Sequence, residues 1–312
     1  VSALPARDAI VATAGEAIAR GSRSFTAASR LFAPAVRERT WLLYAWCRRC
    51  DDLADGQDHG HDASAVADPE ARLAAIRVRT EAALDGQWVG DAAFDALRIV
   101  VGESGIPHRL VWDVVEGFAL DAGGWRPANT ADLMRYCYHV AGAVGCMMAV
   151  VMGVRPDDEA LLDRACDLGL GFQLANIARD LFEDAQAGRC YLPADWLAEA
   201  GIAPDAVTAD PDKLAVLAAR LCAMAQDYEA SARRGAPALG FRSAWAVLAA
   251  AGIYGDIARE VTTRGSGAWD HRVSTSARAK FGWILRAFGQ ARLRVRLYPP
   301  QPRAENLWTR PR

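Results

Sequence analysis

Apolar residues recur at three- and four-residue intervals along nearly the whole chain, and this spacing restricts the fold more than any other feature. Leu73, Ile76, Val78, Ala82 and Leu84 recur roughly at helical spacing before Gly86, and Leu214, Leu217, Leu221, Met224 and Ala225 do so later. An α-helix turns once in about 3.6 residues, so such spacing gathers apolar side chains toward one face. Alanine is abundant, and the β-branched alternation of strands is missing. Breakers separate the runs at residues 55–68, 102–107, 123–130, 156–158 and 188–193. Helix starts are expected at Thr130, followed by Asp132 and Leu133, and at Asp195. Together these signals predict an all-α fold of about eight to twelve helices. Neither a fixed-period repeat nor a long Gly/Ser linker is present, which argues against a solenoid and for one large bundle. The expected division is a single domain over residues 1–295 and a loose basic tail over residues 296–312.

The 312 residues are 52% hydrophobic and 24% charged, with a net charge of −2. That is enough apolar material for a large core, and the charge balance disfavours a general nucleic-acid binder. From Arg272 onward Arg dominates and Glu305 is the single acidic residue. Such an end suits either anionic lipid headgroups or a solvated helix end. Seven cysteines without a spacing framework suggest reduced thiols and a cytoplasmic protein. Cys47 and Cys50 form a C-x-x-C, but no second pair or nearby His completes a zinc site. Residues 1–10 include Arg7 and Asp8, which does not read as a secretory signal. The apolar run 141–154 is shorter than the about 20 residues of a membrane span, so a buried core helix is expected there.

Two acidic segments carry the chemistry. The first reads Tyr44-Ala-Trp-Cys-Arg48-Arg-Cys-Asp51-Asp52-Leu-Ala-Asp55. On a helix, Asp51 and Asp55 project from one face a turn apart, where like charges destabilise unless a cation lies between them. Hard oxygen ligands at this spacing suit Mg²⁺, completed by substrate phosphates. Acidic residues at a helix end are also common on plain surfaces. The second segment, Gln173 to Asp184, repeats the spacing with Asp180 and Asp184, preceded by Asn176 and Gln173. Gln and Asn are poor choices for a solvated charged face, whereas a polar stripe facing a cavity accounts for them. Leu174, Ile177 and Leu181 form an apolar stripe displaced around the same helix. The two carboxylate pairs are expected to face each other across a bundle and hold Mg²⁺, stabilising a diphosphate as it leaves. The rest of such a pocket must be apolar, because water quenches a carbocation.

Ordered motifs over Ser22 to Arg272 resemble the squalene/phytoene synthase family. They are Ser22-Arg23-Ser24-Phe25, the Tyr44 to Asp55 segment and Gly117-Phe-Ala-Leu-Asp121. Next come Tyr136-Cys-Tyr-His-Val140-Ala-Gly-Ala-Val-Gly145, and Gln173 to Asp184 followed by Gly188-Arg189-Cys-Tyr191-Leu-Pro193. The resemblance implies a single bundle of the isoprenoid-synthase type around a central channel. It implies Mg²⁺ at Asp51, Asp55, Asn176, Asp180 and Asp184, with Mn²⁺ a possible substitute. Diphosphate would meet Arg23, Ser24, Arg48, Gln173, Arg179, Arg189, Tyr191 and Arg272. Phe25, Tyr136, Val140, Gly145 and Leu174 would line the channel, Gly142 and Gly145 leaving room for prenyl chains. Tyr44, Tyr136 and Tyr254 would stabilise cations, unless they are ordinary core tyrosines with satisfied hydroxyls.

Family members join two allylic diphosphates head to head through a cyclopropylcarbinyl diphosphate. Some then reduce the final cation with NADPH and others release a proton. The Arg189-Cys-Tyr191-Leu-Pro193 wording resembles the bacterial phytoene-forming branch, and no Gly-rich dinucleotide motif follows a strand. The resemblance therefore implies geranylgeranyl diphosphate as substrate, no NADPH, and downstream carotenoid enzymes as partners. Ala54 and Gly21 depart from the pattern of some relatives without removing a ligand. Competing readings are an enzyme using farnesyl diphosphate, a catalytically silent helical assembly factor, and a terpene cyclase or chain-elongating prenyltransferase. Four acidic residues at the metal positions disfavour the second, and the Asn176 to Asp184 block fits the third poorly. The apolar product leaves a peripheral contact with the cell membrane open.

Overall fold

Helices form between the breakers. The computed structural model describes residues 6–21, 23–55 and 68–312, without the side chains of 23–25 and 55. Among the described residues there are fourteen α-helices and no strand. The chain divides into two compact units, one drawn from Val1–Gly123 and Met147–Asp158, the other from Gly124–Cys146 and Glu159–Arg312.

The first unit contains α1 (Arg7–Gly21), α2 (Arg23–Ser29), α3 (Pro34–Asp55), α4 (Pro69–Leu84), α5 (Ala92–Ser104) and α6 (His108–Ala122). Helix α3 packs on α1 and α5 and buries Leu42, Leu43 and Trp46 completely or nearly so. Side-chain caps set the starts of two neighbours. The Asp68 carboxylate accepts from the Ala71 N–H, with Pro69 opening α4, and the Asp91 carboxylate accepts from the Ala93 N–H at the start of α5. Both satisfy amides that the first helical turn leaves orphaned. In α4 the buried residues are Ile76, Thr80 and Ala83, while Val78 is 66% exposed. The expected apolar stripe is corrected there: residues two apart lie on nearly opposite sides of a helix, so Val78 cannot share a face with Ile76.

The second unit contains α7 (Thr130–Cys137), a π-helical turn (Tyr138–Gly142), α8 (Ala143–Val151), α9 (Glu159–Gln186), α10 (Ala194–Ala200), α11 (Pro211–Arg233), α12 (Phe241–Arg264), α13 (Ala277–Arg292) and α14 (Arg294–Leu297). From Met147 on, α8 is counted with the first unit. Asn129 caps α7 by accepting from the Asp132 N–H, which makes Thr130 its first residue. Helix α9, 28 residues long, packs against α7, the π turn, α11 and α12. The helix count exceeds the expected range because α2 and α14 are only seven and four residues long, too short for a periodic signal. The short α10, by contrast, begins at Ala194, one residue before the start expected at Asp195.

The helical stretch Thr130–Val151 is long and apolar enough to cross a membrane, but 67% of its most apolar window is buried within the protein. It is longer than the run 141–154 because the π turn joins α7 to α8 without a break. The carboxy-terminal segment, expected as a loose tail, is instead pinned to α9. Arg303 donates to both oxygens of buried Asp167, at 2.7 and 3.0 Å. Arg310 is fully buried against Glu159 and Asp163. Of the basic residues that suggested a solvated end, Arg303, Arg310 and Arg312 have found carboxylates on α9.

Candidate active site

Helix α9 presents the second acidic motif. Gln173, Asn176, Asp180 and Asp184 are half-buried, while Leu174, Ile177 and Leu181 are buried in the core. The polar stripe thus occupies a partly enclosed face, as its residue types suggest. The Asn176 Oδ1 atom is buried and has no hydrogen-bond partner. An unsatisfied buried acceptor costs about 1–3 kcal/mol, so this atom marks a place for a cation or a donor.

Two arginines bracket the next carboxylate along. The Arg179 Nε donates to Asp180 Oδ1 at 2.7 Å. Arg272 lies 3.1 Å from the same oxygen and 3.2 Å from Glu183. Burial works against the Arg179 charge, but the hydrogen bond and negative charge of Asp180 hold its pKa above the ordinary arginine value. Tyr254 stacks on Phe172 with ring centroids 4.0 Å apart. Burial pushes the Tyr254 hydroxyl up, with the Arg179 charge pulling it down. Arg272 arrives through the 3₁₀ turn Gly265–Trp269. Trp269 stacks on Phe182 at 5.2 Å and donates its indole N–H to the Ala178 carbonyl at 3.2 Å. That anchorage sets the following residues beside the acidic end of α9.

The end of α9 explains why Gly188 precedes Arg189. The Arg189 N–H donates to the Asp184 carbonyl at 2.8 Å and the Gly188 N–H to the Ala185 carbonyl at 3.0 Å. Gly188 has φ +75°. This double closure with a left-handed residue is the Schellman cap, which a side chain at that position would strain. It turns Arg189 back beside the helix that carries Asp184. The following segment is laced to residues 127–130: Ala194 and Asp195 donate to the Pro127 and Ala128 carbonyls, and the Trp196 indole donates to the Thr130 hydroxyl. Tyr191 is thereby stacked on Tyr136 at 4.8 Å, and Tyr136 on Trp125 at 5.4 Å.

The first acidic motif lies in the other unit, at the end of α3. Arg48 donates to Asp51 at 2.7 Å and forms an ion pair with Asp52 at 3.3 Å. Asp51 is 41% exposed and Asp52 only 7%, so Asp51 is the accessible member and Asp52 a buried counter-charge that orients Arg48. The Leu53 carbonyl accepts from Arg72 of α4 at 3.1 Å, satisfying one orphan acceptor at the helix end. Burial raises the Tyr44 hydroxyl to about 12. A side chain on Gly21 would occupy the place of that hydroxyl, so the glycine substitution noted in the sequence creates room for Tyr44. Burial pushes the Cys47 and Cys50 thiols up, with Asp51 adding to it, and all seven cysteines are free.

Among the described residues, no three His, Cys, Asp or Glu side chains are gathered tightly enough to hold a metal alone. The α9 stripe offers two carboxylates and the orphaned Asn176 oxygen. That donor set fits Mg²⁺, which takes one or two carboxylates and completes its shell with waters and substrate phosphates. The Arg23, Ser24, Phe25 and Asp55 side chains lie outside the described residues.

The structure gives Gly145 a task other than leaving room for prenyl chains. A Cβ there would run into the Ala165 carbonyl of α9, one on Gly169 into the Ala141 carbonyl, and one on Gly142 into Cys166 Sγ. These glycines let α9 lie backbone-to-backbone against the π turn and α8. Val140 is half-buried and Leu174 fully buried. Asp52 and Trp125 were missed in the sequence. Asp52 lies beside the more regular Asp51/Asp55 pair, and Trp125 sits in a breaker stretch where no periodicity points to it.

The match to the squalene/phytoene synthase family model spans residues 18–279. A phytoene synthase from Pseudescherichia vulneris is 46% identical over 302 residues, covering 96% of this chain and 97% of the relative. A 15-cis-phytoene synthase from Paracoccus sp. is 46% identical over 302 residues, covering 97% and 98%. Among solved structures, a ligand-bound dehydrosqualene synthase superposes with a TM-score of 0.80 at 26% identity, covering 92% of this chain and 98% of that one. The all-helical fold, the motifs in order and this near-full-length similarity place the chain in the squalene/phytoene synthase family.

Proposed function

We propose that this chain joins two geranylgeranyl diphosphates head to head, through a cyclopropylcarbinyl diphosphate, to give phytoene, two diphosphates and two protons. One proton is lost as the cyclopropane closes and one from the final cation. The chain is a prenyltransferase of carotenoid biosynthesis. The observation that carries this reading is the 46% identity, along nearly the whole of both chains, to proteins named phytoene synthase. The α9 site is chemically suited to it.

In this reading Asp180, Asp184 and Asn176 hold Mg²⁺ in one unit, and Asp51 with Asp55 hold it in the other. When bound, Mg²⁺ supplies Lewis-acid stabilisation to the departing diphosphate. Arg179, Arg272 and Arg189 bind diphosphate oxygens on the α9 side, with Gln173 and Tyr191 as further donors. Arg48, with Arg23 and Ser24, does so on the α3 side. Arg179 and Arg272 rest on Asp180, and an arriving diphosphate gives both guanidiniums a stronger acceptor. Tyr254 with Phe172, and Tyr136 with Tyr191 and Trp125, present π faces to a carbocation. The Tyr44 and Tyr254 hydroxyls stay protonated because burial raises both. They act as dipoles, and the released diphosphate takes the final proton. The hydrocarbon product is insoluble in water, so the enzyme works at a membrane surface.

The test is purified protein with Mg²⁺ and either geranylgeranyl or farnesyl diphosphate, without NADPH. A conjugated-triene hydrocarbon from geranylgeranyl diphosphate supports the reading, with activity lost to a chelator and restored by Mg²⁺. Asp51→Asn and Asp180→Asn should each lower kcat by about a hundredfold to a thousandfold. Turnover of farnesyl diphosphate alone would overturn the substrate, and full activity in chelator would overturn the metal.

A further inference from the structure

The exposed apolar surface of the described residues is gathered in one place. Apart from Val78 and Val216, every large exposed apolar side chain lies between Phe281 and Leu297. On α13, Arg278, Phe281, Leu285, Phe288 and Arg292 follow at three- and four-residue steps. One face therefore carries three apolar side chains between two arginines. Phe281 and Leu285 are 62% and 58% exposed, and the Arg292 guanidinium stands over the Phe288 ring at 5.1 Å. The other side of α13 is taken up by α12. Ala287 and Ala291 are fully buried, the Trp245 indole donates to the Ile284 carbonyl at 2.8 Å, and the Trp283 indole donates to Asp256. Leu293, Val295 and Leu297 extend the apolar surface along α14, and each is about half or more exposed.

Charge decides what covers this face. No acidic residue occurs between Val273 and Ala304, while Arg278, Lys280, Arg286, Arg292, Arg294 and Arg296 fall within it. A second copy docking through the same face would set arginines against arginines. An apolar stripe edged by arginines matches the boundary between anionic headgroups and acyl chains. The basic residues nearer the carboxy-terminus do not serve, because Arg303, Arg310 and Arg312 are engaged by Asp167, Glu159 and Asp163.

We propose that α13 and α14 form a docking surface for an anionic lipid bilayer, with Phe281, Leu285, Leu293 and Val295 entering the interface and the arginines meeting lipid phosphates. This rests on the membrane contact stated under the proposed function and assigns it to a surface. The test is co-sedimentation of the full chain with phosphatidylglycerol vesicles and with phosphatidylcholine vesicles. The wild-type protein should partition onto phosphatidylglycerol and stay free of phosphatidylcholine. Leu285→Ser with Val295→Ser, and separately Arg278→Glu with Arg292→Glu, should each weaken partitioning by about tenfold or more. Melting temperature and turnover of detergent-dispersed substrate should stay unchanged. Unaltered partitioning of both variants overturns the assignment to α13–α14 and leaves the membrane contact standing. Failure of the wild type to bind either vesicle overturns both. Self-association of the wild type without lipid, abolished by the serine pair, shows a second copy on this face and overturns the lipid proposal.

Discussion

Two single residues show how the site trades stability for chemistry. Asn176 keeps a buried amide oxygen without a partner, a cost that a purely structural helix would have shed. Asn176→Leu should therefore raise stability by about 1–2 kcal/mol while lowering turnover steeply, measured by thermal melts and steady-state kinetics on one preparation. Loss of stability in this variant would mean that the amide is satisfied and plays a packing role. Gly21 and Tyr44 form the second case, because the glycine leaves the space that the tyrosine hydroxyl fills. Gly21→Ala should displace Tyr44 and reduce kcat by about tenfold to a hundredfold, with Tyr44→Phe largely masking the effect. The sequence showed Gly21 only as a departure from relatives. Its reason is a contact across twenty-odd residues of chain, which no local pattern encodes.

At the scale of elements, the cap that ends α9 ties helix stability to the placement of a ligand-binding arginine. Gly188 lies at φ +75°, and Gly188→Ala should cost about 1–2 kcal/mol. The same change should raise KM for the diphosphate substrate, because Arg189 is the residue whose N–H closes the cap. A fall in melting temperature with KM unchanged would separate Arg189 from substrate binding. The helical periodicity, the helix starts at Thr130 and Asp195 and the polar stripe of α9 were legible because each depends on residues within a few positions of one another. The short helices α2 and α14 were not, and neither was the exposure of Val78. The first are shorter than the window in which periodicity is detectable, and the second depends on which side of α4 meets its neighbours.

For the whole molecule, the carboxy-terminal segment is the part that a linear reading places worst. Asp167 is fully buried and Arg303 closes on both of its oxygens. Burial pushes Asp167 up while Arg303 and Ser231 pull it down. Arg303→Met leaves that carboxylate buried without its partner and should cost about 3–5 kcal/mol, read as a loss of melting temperature with earlier proteolysis near the carboxy-terminus. Pairing it with Asp167→Leu should restore much of the loss, since an apolar pair of similar size removes the stranded charge. By itself the sequence determined the all-helical class, the two acidic motifs and the ordered blocks that resemble one enzyme family, because these lie in residue type and short-range spacing. Tertiary structure alone decided that Asp180 is bracketed by Arg179 and Arg272, that Trp125, Tyr136 and Tyr191 form one stack, and that Gly145 admits a helix backbone. It alone decided which arginines are spent on carboxylates and which stay on an open apolar face. Each of these depends on groups distant along the chain meeting in space, and close packing leaves a mark in sequence only where one residue type can satisfy it.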